Sequence, residues 1–519
     1  MKTPLRQLPL LLALAALPGG SAWSASSVGE APAEADAPVV LNADIYFARA
    51  SEYLERFRKE DIGQAVRLFN RVVKAEAGNP RGHGGLAEAR AIRFLQGWEP
   101  DPAMLQKGLD SGKRAVELDP SSYLARQGLG IALLASERYT PALQELDKAV
   151  ELNPASFRAH FYRGMLLRGL RRKDEACAEA HQAMNLSPAS AVARALLGDC
   201  EQDLHHYQDA RNAYFAAAEL DQRLLWARLG IAAAYQREAN FPASEKTYLL
   251  TEKDFPDDNR RVEIMAAAQL VSTQRYEEAV KVYQSMPEKE SLSPPLLRRL
   301  MLAGRAYSLE KLERVEESEY FWSKLVDEFP PDFDGGFRDR ELASQGFEAL
   351  ARIYQAKGES GRAVKTLEKG CAHPKMAFSL YAACAEKFLA GARQEEALKA
   401  LQAGLSQTVT DDDWVMITQA MVPTFRAGAS TKSSSSLRTG SLDLLNALAD
   451  RIAGAQPASF VPYVNLARAQ ALFKQNRKAL DNLDAALKRG YGAVRTTWAD
   501  PDFKSLQSEP AFKELAEKH

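Results

Sequence analysis

The chain has little of what usually announces a chemistry. Its 519 residues include four cysteines, Cys177, Cys200, Cys371 and Cys384, and seven histidines. No two cysteines stand in a Cys-x-x-Cys arrangement, and no histidine pair has H-E-x-x-H spacing. The familiar local zinc signatures are therefore missing. So are the Gly-x-Ser-x-Gly elbow, the phosphate-cradling glycine loop and the dinucleotide fingerprint. An acidic stretch at 332–336, "DFDGG", lacks the alternating ligands and terminal glutamate of a calcium loop. Charge of one sign is lacking too. The 67 Lys and Arg nearly balance the 68 Asp and Glu, for a formal net charge of −1, with no long single-sign run. So weak a field does not draw nucleic acid or an acidic membrane. Past residue 25 no apolar run is long enough to span a bilayer. These absences predict no catalytic residues, no cofactor, no metal and no nucleic-acid partner.

What is present is a ruler. Pro120, Pro154, Pro188 and Pro256 fall on a 34-residue grid, with Gln222 at the remaining point. Tyr139, Tyr207 and Phe241 keep the same interval, with Lys173 between them. Ala142, Ala176 and Ala210 form a third set, and Ala149, Ala183 and Ala217 a fourth. A period of this length is the mark of a stacked repeat array. Within one unit, Tyr123 to Ser156, the spacings of three and four between Tyr139, Ala142, Leu146 and Ala149 place them on one helix face. Gly130 and Ala142 are small enough to let two antiparallel helices approach. The proline stops the second helix of each unit.

The segments "SERYTPALQELDKAVELNP" and "HHYQDARNAYFAAAELD" resemble the second helices and turns of the tetratricopeptide repeat family. The resemblance covers most of residues 43–519, in about eleven or twelve units by the same period. It implies an all-α fold, a solenoid of stacked antiparallel helix pairs, with right-handed superhelical stacking carried over from the family. The last segment, "WADPDFKSLQSEPAFKEL", is similar to the closing segment of many such arrays. Trp498, Phe503, Leu506, Phe512 and Leu515 are placed there to cover the apolar face of the last helix pair.

Residues 1–25 read as a secretory signal. Lys2 and Arg6 precede an apolar run from Leu8 to Leu17, then Pro18, Gly19 and Gly20 break it. Ala22 and Ala25 are the candidate cleavage positions. Residues 26–42 form a disordered lead-in. The repeat array runs over 43–409, and an irregular helical segment over 410–456 contains a flexible serine-rich loop at 428–441. A further repeat at 457–490 and a cap at 491–519 close the chain. Signal and repeats together resemble exported bacterial proteins, which implies a periplasmic or secreted location.

Cys177 falls in the second helix of one unit and Cys200 in the first helix of the next. Cys371 and Cys384 straddle a similar junction. Pairing is open to both couples, but four small buried thiols in helical cores is the favoured reading.

Arrays of the resembled family bind peptides or protein surfaces along the face lined by first helices. Carried onto the grid, that face includes Phe161, Met165 and Arg168 in one unit and Trp226 and Arg237 two units on, with Asp199 and Gln202 between. Two aromatics and a methionine offer an adaptable surface, and the arginines suit an anionic partner. The family's chaperone-tail carboxylate clamp is not evident. The expectation is a non-catalytic scaffold that binds a protein or peptide, as a candidate component of an envelope assembly. The alternatives are a carrier or sensor of a small molecule or polysaccharide, or an enzyme with a site hidden in 410–456.

Overall fold

The computed structural model describes residues 43–518, apart from 100, 287–294, 331–332, 335, 374, 407–412 and 493–499. The expected signal segment, the lead-in and Trp498 lie outside the described residues. Among those residues the chain is helical throughout and has no strand. Among the described residues no helix is long and apolar enough to cross a membrane.

The chain divides into two compact units. The first holds α1 (Ala43–Glu55), α2 (Lys59–Ala75), α3 (Pro80–Leu95), α4 (Pro102–Leu118), α5 (Tyr123–Ala135), α6 (Tyr139–Leu152), α7 (Phe157–Gly169) and α8 (Lys173–Leu186). It continues through α9 (Ala191–Asp203), α10 (Tyr207–Leu220), α11 (Leu225–Arg237), α12 (Phe241–Asp254), α13 (Asn259–Ser272), α14 (Tyr276–Gln284), α15 (Pro295–Lys311) and α16 (Val315–Asp327). Residues 333–342, which begin α17 (Phe337–Ala356), also belong to it. The second unit contains the rest of α17, α18 (Ser360–Ala372), α19 (Phe378–Ala390), α20 (Gln394–Leu405), α21 (Asp413–Ala429), α22 (Ser435–Ala455), α23 (Val461–Leu472) and α24 (Asn476–Leu487). A short 3₁₀ turn, Pro501–Leu506, and α25 (Pro510–Lys518) follow.

The 34-residue grid is written in the backbone as well. Glu137, Arg171, His205 and Ala239 stand 34 apart and take φ of 57°, 62°, 67° and 58°. Each sits in the three-residue turn between the two helices of a unit. The next amide reaches back five residues, as in Arg138 N to Leu133 O at 2.9 Å and His206 N to Glu201 O at 2.8 Å. That pattern satisfies carbonyls left over at the helix end and reverses the chain. Entry into the next unit repeats as well. Ser122, Ser156 and Ser190 each accept a hydrogen bond from the third helical amide, at 3.3 Å. In the fourth unit Leu224 stands at this position and makes no side-chain cap.

The small grid residues are where helices touch. Ala142, Ala149, Ala183, Ala210 and Ala217 have no exposed surface, and Leu146 and Tyr214 fill the spaces between them. Tyr214 of α10 lies between α9 and α11, where Gly198 and Gly230 make room for its ring. A β-carbon at Gly198 would stand 2.8 Å from the ring, and one at Gly230 would meet it still more closely. Glycine is required at both positions because close packing leaves no slack for a methyl group.

All four cysteines are paired, as Cys177–Cys200 and Cys371–Cys384. The favoured reading of four free buried thiols is thereby corrected. The Cα atoms stand 5.3 and 6.8 Å apart, within the span a disulfide bridges. Each bond joins the second helix of one pair to the first helix of the next, α8 to α9 and α18 to α19. Both links fasten consecutive units, the interface on which a repeat array depends. Replacing Cys177 and Cys200 together by serine is expected to cost about 3 kcal/mol, because the bond closes a short loop in the unfolded chain. Chemical denaturation of the oxidised protein and the double variant measures the difference. Coincident curves would show that the bond contributes nothing.

Residues 428–441 depart from the flexible loop expected of them. The helix α22 begins at Ser435, and Ser434 caps it by accepting from the Leu437 amide at 3.1 Å. Leu437 and Ser441 are buried, and Leu444, Leu445, Leu448 and Ile452 continue the same face. Serines broke the apparent pattern in the sequence, yet one starts the helix and another packs inside it.

The end of the second unit carries a cap. Phe503, Leu506 and Phe512 are fully buried with Ala467, Ala471, Ala479 and Leu483 of the last helix pair. The two phenylalanine rings stack at 6.4 Å. Arg426 donates to Asp502 at 2.6 Å, and Arg468 donates to Asp500 at 2.8 Å, fixing the segment at its start.

Candidate functional site

The first helices α5, α7, α9 and α11 are hydrophobic on the face toward their own partners, as packing requires. Their other face carries polar side chains that are nonetheless buried, among them Gln127, Arg168, Gln202 and Gln236; His160 and Asp199 are buried against their own partner helices, at Glu179 of α8 and Tyr214 of α10. Something must cover that face, and in the first unit the chain covers it with itself.

The aromatic residues expected to line an open groove are inside. Phe161, Met165 and Trp226 are 1%, 7% and 2% exposed. Phe57, in the turn between α1 and α2, places its ring 6.0 Å from that of Phe161. Phe161 in turn lies 6.1 Å from Trp226. These side chains are packed in the interior rather than lining an open surface. The groove expectation is corrected for these three and for Arg168, which is buried in ion pairs; Arg237 remains half-buried.

Around Trp226 the structure assembles a polar network. Asp199 of α9 accepts from the Trp226 indole at 3.2 Å and, through the same oxygen, from the Tyr214 hydroxyl. Its other oxygen accepts from Arg168 Nη1, while Arg168 Nε donates to Asp203 at 2.5 Å. Burial pushes Asp199 up to about 6, against the pull of Arg168 and the two hydrogen-bond donors. Burial also opposes the charge on Asp203, but Arg168 and Arg338 hold its carboxyl below the usual range. Arg168, between two carboxylates, keeps its proton more firmly than a free guanidinium despite its burial.

Segment 333–342 closes over this region. The backbone amide and hydroxyl of Thr140 donate to the Asp334 carboxylate at 3.1 and 3.2 Å. The Arg171 guanidinium sits 4.4 Å from the centre of the Phe337 ring and 3.8 Å from Glu341. Arg299 of α15 donates twice to Glu137, at 2.7 and 2.8 Å, and to the buried Asp339 at 2.8 Å. Groups 162 to 194 residues apart in sequence thus meet over the turns that end α5 and α7. Arg338 is carried by the same segment into the field of Arg168, Arg237 and Asp203. Its Nη1 is buried and has no hydrogen-bond partner. Burial and the neighbouring arginines bring its guanidinium down to about 10, and burial lowers that of Arg237 also.

The helix pairs, the left-handed turn residue and the small contact residues all recur at one interval. The fold is a tetratricopeptide-type array. No protein-family model matches the chain, and no curated protein does either. Solved structures to which it is similar include yeast Tom70, at 14% identity over 69% of this chain and 90% of that one, with a TM-score of 0.45. The thermophilic TPR protein TTC0263 of Thermus thermophilus aligns at 21% identity over 37% of this chain and 99% of its own, with a TM-score of 0.31. PilF of Pseudomonas aeruginosa aligns at 18% over 41% and 92%, also at 0.31.

Sequence reasoning missed Arg338, whose place on the inner face depends on a segment outside the regular grid. It also missed the setting of His160 on α7. The ring nitrogens of His160 lie 2.6 Å from Glu179 Oε2 and 2.9 Å from the Pro154 carbonyl oxygen. Both neighbours are acceptors, so both nitrogens need protons to bond them. The hydrogen bond to Glu179 raises the imidazole above its ordinary 6.5, with burial pulling the other way. A raised value means that the stabilisation is complete below the unfolded pKa and is lost as pH rises through the folded one. Between about pH 6 and about pH 8.5, the native array of this tetratricopeptide type is expected to lose more stability than a His160→Gln variant. Thermal melts at the two pH values compare them, and parallel losses would remove His160 as the cause.

His205 and His206 do not act together. His205 bonds the Tyr207 hydroxyl at 2.9 Å, and His206 pairs with Glu201 at 2.9 Å. Asp209 brings a third ligand-type atom near Glu201 and His206, within 4.8 Å, but His206 and Asp209 are exposed. An exposed pair of this kind is ordinary surface electrostatics.

Proposed function

We propose that the protein is a non-catalytic scaffold, exported to the cell envelope, that binds a protein or peptide. The observation that carries this reading is the array itself. Stacked helix pairs present side chains at a fixed pitch over a long surface, which suits an extended macromolecular partner better than a small reacting molecule. Its four cysteines are held in disulfides, so none offers a thiolate for catalysis. The same disulfides support export, because such bonds persist in oxidising compartments. The signal-like text of residues 1–25 agrees with that location.

A partner on the inner face of α5 to α11 has to displace segment 333–342 or bind beside it. Affinity purification of the mature protein from its native envelope, with mass spectrometry, tests the scaffold reading. A specific protein recovered in near-stoichiometric amount is the expected result. Its consistent absence would sink the proposal. N-terminal sequencing of the same material should begin between Trp23 and Ser26, and recovery of Met1 would count against cleavage.

A further inference from the structure

The regular second helices of the first unit begin in different ways. Arg172 and His206, before α8 and α10, supply no side-chain cap, but acids stand in the first turns: Asp174 and Glu175 in α8, Asp209 in α10. Helix α12 is capped by its own Asn240. Helix α6 has neither device, since Arg138 makes no cap and the first turn holds no acid. Free amides and the positive end of the helix dipole favour a carboxylate at such a place. One arrives from the covering segment. Asp334 takes the amide and hydroxyl of Thr140 on its carboxylate, and its backbone carbonyl accepts from the Tyr139 amide at 3.3 Å. Gly336 then passes close over α6 and the end of α7. A β-carbon there would stand 2.6 Å from the Tyr139 ring and 3.2 Å from the Gly169 carbonyl oxygen. Phe337 ends the run against the Arg171 guanidinium, in the turn after α7. Carboxylate, glycine and aromatic each meet a matching group, as the parts of a bound peptide do. Segment 333–342 belongs to the first unit, whereas the chain on both sides of it, 329–332 and from Ala343 onward, belongs to the second.

We propose that Asp334, Gly336 and Phe337 form an internal ligand, which holds closed a peptide-recognition notch built from Tyr139, Thr140, Gly169 and Arg171. The external ligand of the notch is a partner peptide with an aspartate, a glycine two residues on and an aromatic directly after it. This deepens the scaffold reading and rests on it for the partner. Arg299 anchors the segment on both sides of the tip, with its guanidinium 5.0 Å from the centre of the Phe333 ring and 2.8 Å from Asp339. Only the tip has to leave. Its own contacts, a carboxylate bonded at the surface and a cation–π pair, are individually weak. They hold because the tether keeps the local concentration of the tip high. A partner that offers the same groups, with further contacts beside them, displaces it.

The test uses the mature, full-length protein and a dye-labelled peptide of residues 331–340, "PDFDGGFRDR". Fluorescence anisotropy follows its binding to the native protein and to a variant opened by Asp334→Ala and Phe337→Ala. Saturable binding to the opened variant is expected. Binding to the native protein should be about tenfold weaker, because its own segment competes from the tether. A peptide carrying Asp334→Asn and Phe337→Ala should bind the opened variant about tenfold less well, for want of a charged bond and a ring contact. Arg171→Gln, added to the opened variant, should weaken the unaltered peptide about threefold. Circular dichroism establishes that the variants keep their helices. Absence of binding by a helical opened variant overturns the notch. So does equal binding by the native and opened proteins, or of the two peptides. A native dimer that Asp334→Ala abolishes would put the segment of a second copy in the notch and overturn the partner. If the opened variant does not fold, Asp334→Ala alone takes its place. None of these readings needs the partner itself. Failure to recover one by affinity purification therefore sinks the scaffold reading alone, and failure of the peptide sinks the notch alone.

Discussion

Deletion of residues 500–519 is expected to unmask the last helix pair and drive the protein to aggregate. Phe503, Leu506 and Phe512 have no exposed surface, and their partners on α23 and α24 are Ala467, Ala471, Ala479 and Leu483. Burial of each large apolar side chain contributes roughly 1.5–3 kcal/mol, so the three together contribute about 4.5–9 kcal/mol. That is a large share of any stability the final repeats can have. The loss does not stay in the deleted segment. An uncapped repeat presents its apolar face to solvent and to other copies of itself. Size-exclusion chromatography and thermal melting of the truncated chain give the readout. A monomer with an unchanged melting temperature would show that these residues do not act as a cap.

Trp226→Ala is expected to cost about 3–5 kcal/mol, the range for truncating a large buried aromatic. Its ring lies against Phe161, and its indole nitrogen donates to Asp199. The substitution therefore leaves a cavity and also removes one donor from a buried carboxylate, which adds to the penalty. An exposed groove residue would behave differently: the variant would keep its melting temperature and lose only a partner. Circular dichroism melts of the variant separate the outcomes. Unchanged stability would return Trp226 to the surface. A paired Phe161→Ala change should not add independently, because the two rings share one contact.

Much of the array was legible in the text because its cause is local. Helix period, proline stops and small contact residues all act over a few positions. Ala142 and Ala149 could be read as contact residues without knowing what lies against them. The cap was legible for the same reason, as an apolar period following the last unit. The left-handed turn residues were not, since Glu137, Arg171, His205 and Ala239 have no common side chain. Only the Schellman-type turn geometry unites them. The start of α22 was hidden by composition. Serine reads as loop text, but at Ser434 it is a cap and at Ser441 it is core.

The candidate site divides along the same line. The grid placed Phe161, Arg168, Trp226 and Arg237 on one helix face, and the structure gathers them around Asp199 and Asp203. What the grid could not contain is the other half of the neighbourhood. Phe57 comes from about a hundred residues earlier, and Arg338 from about a hundred later. By itself the sequence determined the repeat, its period, its small contacts and its end cap, because these follow from the 3.6-residue turn and side-chain size. Only the tertiary structure decided that the inner face is covered, that the cysteines pair and that Arg338 comes into the field of Arg168 and Arg237. Those outcomes depend on how repeats stack and where a long chain returns upon itself, which no local period encodes.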